Sequence, residues 1–251
     1  MLIEFLLTAG LLSMQPPTYK LQPYLQDRSV HFTAQHGLPD APVLAIVIAG
    51  ERLYAGTPKG IAVAPLRQPN QWRVGSTQPL RALATDRAGN VCGIGGASLY
   101  QITAEGETRL LYTADAELIG LQAAREGGWW LLTPKQLLRY ENGAIRETYD
   151  APTNREFRWF YQDTRGRLFA FAEGELERRC YRLDRGQWRL LEIRDNRGRY
   201  FDDAWLCAAS DAIGHLWIGA RSGLIIGDGE GWFLSREVYD GAPTAPASPT
   251  T

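Results

Sequence analysis

One short pattern recurs through this chain at a nearly constant interval, and that interval limits the fold more than any other feature. The segment Gly214-His215-Leu216-Trp217-Ile218-Gly219-Ala220-Arg221-Ser222-Gly223-Leu224 reads as a polar turn, a short apolar strand, a second turn and the start of another strand. With Leu216 as marker, equivalent positions are Leu53, Val91, Trp129 and Leu168, so the steps are 38, 38, 39 and 48 residues. A self-similar period of this size marks a repeat architecture, and it must be settled before any local assignment.

The flanks repeat as well. Before the marker, an apolar stretch ends in Asp86-Arg87-Ala88-Gly89-Asn90, Asp163-Thr164-Arg165-Gly166-Arg167 or Asp211-Ala212-Ile213-Gly214-His215. Aspartate can bond its own backbone across such a turn, and glycine supplies a positive φ. The third copy keeps only Gly127 and Gly128, and the first is shortened to Ala49-Gly50-Glu51-Arg52. After the marker come a second turn and a further apolar stretch, as in Thr57-Pro58-Lys59-Gly60-Ile61 and Thr133-Pro134-Lys135-Gln136-Leu137. A last short stretch follows a Gly or Asn, near Trp72, Thr108, Ile145, Trp188 and Trp232.

Each unit thus has four short β-type stretches, A to D, joined by turns that suit hairpins. One four-stranded sheet of this size cannot bury both of its faces. Packing such sheets around an axis solves the problem, so the expected fold is all-β: a β-propeller of four-stranded antiparallel blades. Helical solenoids of similar period need apolar spacing near 3.6 over long runs, whereas these units have short runs and Gly-rich turns. Five repeats are recognisable, near residues 42–75, 79–111, 117–149, 156–192 and 203–235. Residues 29–43 read as a D strand leading into an A strand. They belong either to a partial sixth blade or to a larger propeller cut short.

Of the 251 residues 45% are hydrophobic, enough for one sizeable core. The 27 Lys and Arg against 28 Asp and Glu give a formal charge of −1, which offers no broad attraction to nucleic acid or an anionic membrane. Cys92, Cys180 and Cys207 lack CxxC spacing and are odd in number, so neither a complete disulfide framework nor a zinc site is expected. Buried free thiols are the plainer reading. Residues 1–28 read as a leader or signal-like segment. Its first 13 residues are apolar, but Glu4 interrupts them and no Lys or Arg precedes them. The rival reading is a truncated start that packs as part of a strand or helix. No stretch is long enough to span a membrane. Residues 238–251, rich in Pro, Ala and Thr, are expected to form a disordered tail.

The run Gly37-Leu38-Pro39-Asp40-Ala41-Pro42-Val43 and residues 205–226 resemble the two-component regulator propeller repeat. With the degenerate middle copies the resemblance covers residues 29–235. It implies a sensor-type propeller with a ligand-sensing or protein-docking role, in a periplasmic or secreted setting.

Strand direction assigns the turns to two faces. A–B and C–D turns share one face; B–C turns and D–A connections share the other. A candidate binding mouth on the second face combines Lys59, Lys135, Arg199, Asp202, Asp203 and Arg221. Solvated turns are the plainer alternative. The partner would be a small polar ligand or a protein, with no nucleic acid and no cofactor, and the oligomeric state is open. His31, His36 and His215 form no metal or nucleophile motif, and Gly93-Ile94-Gly95-Gly96 lies between strands rather than before a helix. Trp72, Trp188, Trp232, Trp130 and Trp217 are expected in inter-blade packing. An alternative is a lyase or hydrolase of the streptogramin lyase-like type. That reading needs a histidine and an acid at the axial mouth, and His36 is its only candidate.

Overall fold

The computed structural model describes residues 31–175, 177–193, 205–220, 223–227 and 232–235. Among them are twenty strands in five antiparallel four-stranded sheets, each laid out in chain order. Blade 1 is β1 (Ala45–Ala49), β2 (Arg52–Thr57), β3 (Gly60–Pro65) and β4 (Arg73–Ser76). Blade 2 is β5 (Ala82–Thr85), β6 (Val91–Gly95), β7 (Ser98–Ile102) and β8 (Thr108–Thr113). Blade 3 is β9 (Gly120–Ala123), β10 (Trp129–Leu132), β11 (Gln136–Glu141) and β12 (Ala144–Asp150). Blade 4 is β13 (Glu156–Gln162), β14 (Leu168–Glu173), β15 (Arg178–Asp184) and β16 (Gln187–Leu190). Blade 5 is β17 (Trp205–Ser210), β18 (Leu216–Ala220), β19 (Gly223–Gly227) and β20 (Trp232–Ser235). All five sequence markers fall at the start of the second strand. The chain is a β-propeller with five blades.

The A–B turns show why Asp and Gly recur. Asp86 Oδ1 accepts the N–H groups of Ala88 and Asn90 at 2.9 and 2.8 Å, and Asp163 and Asp211 accept from the second and fourth residues after them in the same way. The residue four on adds a side-chain bond each time: Asn90, Arg167 or His215. The residue between is glycine at φ 83, 82 and 87, a left-handed conformation that costs a side-chain-bearing residue. Blade 3 lacks this aspartate. There Gln162, from the next blade, accepts from Arg125 N at 2.8 Å and donates to Glu126.

Four apolar clusters fill the boundaries between successive blades. At the first three blade boundaries the chain entering the next blade crosses the B–C turn of the blade it leaves, and one residue does two jobs there. Leu80, Leu118 and Phe157 are buried, and their N–H groups bond Thr57, Gly96 and Pro134 carbonyls at 3.0, 2.9 and 2.7 Å. They plug the wedge while satisfying a polar turn that would otherwise be buried unpaired. Gly93 and Gly95 belong to this contact. A Cβ on Gly95 would lie 2.1 Å from the Pro79 carbonyl oxygen, and one on Gly93 would lie 2.9 Å from Leu83.

A fifth cluster lies on the far side of blade 1, where Ala55, Ala62, Ala64 and Trp72 meet Phe32 and Leu38. Residues 31–33, expected as the end of a D strand, are not part of a sheet. Thr33 and His36 cap each other across a 3-10 turn, Ala34–His36, which breaks the extended run. Gly37 follows at φ 89, and a Cβ there would meet the Trp72 carbonyl at 2.0 Å. Ile46 and Ile48, on this same face, remain more than half exposed at 58% and 52%, and among the described residues no core cluster joins blade 5 to blade 1. Trp130 packs between blades 3 and 4 and Trp188 lies against them, as expected; the Trp232 side chain lies outside the described residues.

Two outcomes test these contacts. Burial pushes the Cys92 thiol up to about 12 and raises Cys180 as well, while Cys207 is exposed. Native protein at pH 8 should therefore release one equivalent with Ellman's reagent, and three in denaturant. Asp163→Ala should cost about 2–3 kcal/mol by urea unfolding, because it removes a buried carboxylate that two backbone N–H groups and the Arg167 guanidinium hold. Asp86→Ala, in the exposed copy, should cost about 1 kcal/mol.

Candidate functional site

The face made of B–C turns and D–A connections carries the candidate site. Its Thr-Pro-Lys turns are built alike. Thr57 and Thr133 are buried, and each hydroxyl donates to the carbonyl three residues on, at 2.8 and 3.1 Å. Each also accepts the N–H of the lysine, at 3.1 and 3.3 Å. This bracket holds the turn and points Lys59 and Lys135 into solvent from equivalent places on blades 1 and 3.

Lys135 borders a cleft of about 830 Å3 between blades 3 and 4. The other walls are the D–A connection at Asn154, Arg155 and Glu156 and the B–C turn of blade 4 at Glu175 and Glu177. Asn154 sits at φ 58, which aims the connection back across the blade boundary. Lys135 pairs with Glu156 at 3.3 Å. Arg155 reaches both the carbonyl and the carboxylate of Glu177, at 3.2 and 3.1 Å. Arg158 bridges Glu156 and Glu173, and Arg178 closes on Glu173 at 2.9 Å. Donation from Arg178 and Arg158 holds the Glu173 carboxyl below its ordinary range. Glu175 makes no ion pair among the described residues.

The rim is thus a lattice of alternating charges with side chains already held in place. It offers donors and acceptors at short spacing, and among the described residues it contains no nucleophile beside a base and no metal cluster.

Of the six residues expected at the mouth, Lys135 lines this cleft and Lys59 stands on the same face two blades away. Arg199, Asp202, Asp203 and Arg221 lie outside the described residues. Arg155, Glu156 and Glu177 were not singled out in the sequence. Their signal was present: charges crowd 155–158 and 173–179, which are consecutive loops on one face. His36 is not axial. Its carbonyl accepts from Trp72 N, beside the outermost strand of blade 1, and its Nδ1 accepts from Thr33 N. His215 lies in an A–B turn on the other face and bonds Asp211 at 3.0 Å.

No protein-family model matches the sequence, and no curated protein matches it. Solved structures do. Ycf48 bound to a D1 peptide matches at TM-score 0.62 and 16% identity, over 79% of this chain and 68% of that one. The extracellular domain of the putative hybrid two-component system BT4673 from B. thetaiotaomicron matches at TM-score 0.59 and 17% identity, over 78% of this chain. This chain spans only 28% of that protein. A catalytically inactive virginiamycin B lyase from Staphylococcus aureus with quinupristin matches at TM-score 0.61 and 13% identity, over 78% and 71%. At these identities the likeness is one of fold.

The carboxylate lattice predicts a pH dependence. A carboxyl whose folded pKa is depressed adds stability above its unfolded value, about 4.5, and loses it as pH falls through the folded value. Glu173→Gln should cost under about 1 kcal/mol at pH 7 and still less at pH 3, by urea melts at both pH values.

Proposed function

We propose that this propeller is a non-enzymatic recognition module that docks a polar segment of a partner protein on its B–C and D–A face. The observation that carries this is the cleft between blades 3 and 4, whose rim alternates Lys135, Glu156, Arg155 and Glu177. A polypeptide presents amide donors and acceptors together with side chains of both signs. An open rim of fixed mixed charge matches that pattern and also rejects partners of the wrong sequence by like-charge contact. Blade-to-blade packing holds the rim, so little is lost in ordering it on binding. The peptide-bound Ycf48 structure supports the reading by fold analogy alone.

Sensing of a small polar ligand by the same cleft is the second reading. It is favoured by the closely spaced donors and acceptors of the same rim. An extracellular setting accords with the two-component neighbours, which are extracellular domains. The lyase reading loses support because His36, its one candidate, lies beside the outer strand of blade 1.

Selection from a displayed peptide library is the direct test. Binders should lose affinity about tenfold or more with Lys135→Glu or Arg155→Ala, and recover when Lys135→Glu is combined with Glu156→Lys. Binders indifferent to all three changes would overturn the site. Quinupristin incubated with the protein should be recovered intact; a linearised product would establish the enzyme instead.

A further inference from the structure

The opposite end of the propeller has a second cleft, of about 410 Å3, where the A strands of blades 2, 3 and 4 end. Its floor is rigid. The Gln122 side chain donates to the Gln162 carbonyl at 2.9 Å and accepts from the Gln162 N–H at 2.8 Å, tying β9 to β13. Its rim carries Arg87 and Arg125, each the residue directly after the start of an A–B turn, on neighbouring blades.

The charges at this end are not used alike. The carboxylates are turned into their own turns: Asp86 is held by Ala88 N, Asn90 N and the Asn90 amide, and Asp163, with no exposed side-chain surface, by Arg165 N, Arg167 N and the Arg167 guanidinium. Glu126 accepts from the buried Gln162 amide. The arginines of the blade 4 turn are committed too, because Arg165 and Arg167 donate to the Ile213 and Gly214 carbonyls of blade 5. Arg87 and Arg125 differ. Both are exposed, and neither makes an ion pair or side-chain hydrogen bond among the described residues. Two guanidinium groups beside one cavity, with the nearby carboxylates turned into their own turns, leave donors at this rim that no carboxylate occupies.

We propose that this cleft is an anion site, in which Arg87 and Arg125 clamp a compact carboxylate- or phosphate-bearing ligand from two sides. A guanidinium presents a planar fork of donors matched to such oxygens, and charge-assisted pairs of this kind are the strong ones. The Thr85 and Thr164 hydroxyls at the same rim already donate to the Asp86 and Asp211 carbonyls, which leaves recognition to the two arginines. The site lies on the face opposite the docking cleft and does not depend on it.

Isothermal titration at low ionic strength tests the assignment, with inorganic phosphate and succinate as separate probes. At least one should bind, more weakly as sodium chloride is added, because salt screens exposed charges. The Arg87→Gln/Arg125→Gln double variant should weaken that binding about tenfold or more, with each single variant between. Arg109→Gln, on the outer strand β8, should leave it unchanged. A response to phosphate alone assigns a phosphate ligand; a response to succinate alone assigns a carboxylate. Absence of binding by both probes, or equal binding by the double variant, would overturn the proposal. So would an equal loss with Arg109→Gln. An unchanged thiol count with Ellman's reagent confirms that the variants are folded.

Discussion

The structure depends on the wedge between neighbouring blades. A twisted four-stranded sheet has two apolar faces, and each is buried only against the next sheet. At three boundaries the wedge closes because one residue entering the next blade is apolar in its side chain and polar in its backbone at the place where both are needed. Leu80, Leu118 and Phe157 seal the core and cap the preceding B–C turn together. The same contact explains Gly93 and Gly95, which look like a phosphate-binding run in sequence. They are small because the Leu80 connection presses on them. The period near 38 residues is the length of chain needed to complete one such sheet and reach the next.

Because the wedges consume the apolar residues, chemistry is confined to the two rims. On each rim the turns are braced by side chains before any ligand is considered. Threonine hydroxyls brace the B–C turns of blades 1 and 3, and aspartate carboxylates brace the A–B turns of blades 2, 4 and 5. Loops held this firmly present their remaining side chains at fixed positions, which lowers the ordering cost of recognition. Fold alone leaves the function open, since the structurally similar proteins include a peptide-bound protein, an extracellular domain of a putative two-component system and a lyase.

Most of the architecture was legible in the sequence, for a physical reason. Turn residues such as Gly89, Gly166 and Gly214 are fixed by local backbone geometry, and local geometry repeats with the sequence. What escaped the sequence was interaction between blades. Gln162 substitutes for an aspartate missing from a different repeat, 38 positions after Ala124, and no pattern within one repeat reveals that. His36 was the one histidine that strand direction put on the D–A side, and the lyase reading needed it at the axis. The 3-10 turn and its contact with Trp72 carry it to the outer strand instead. Lys135 was legible because it lies in a repeated turn. Its neighbours Arg155 and Glu177 were not, because the cleft exists only where two blades meet.

The two rims handle charge in opposite ways. At the B–C rim, acids and bases pair with one another, across the blade boundary for Lys135 with Glu156 and at blade 4 for Arg155 with Glu177 and for Arg158 and Arg178 with Glu173. At the A–B rim, carboxylates are held mainly by backbone amides within their own turns, and Arg87 and Arg125 make no ion pair among the described residues. Nearly equal numbers of acidic and basic residues in the chain conceal this separation. A mixed lattice favours partners that carry both signs, whereas an uncompensated guanidinium pair favours an anion. If both proposals hold, one scaffold presents two recognition chemistries at its two ends, with Thr57 and Thr133 bracing turns at one and Asp86, Asp163 and Asp211 bracing turns at the other.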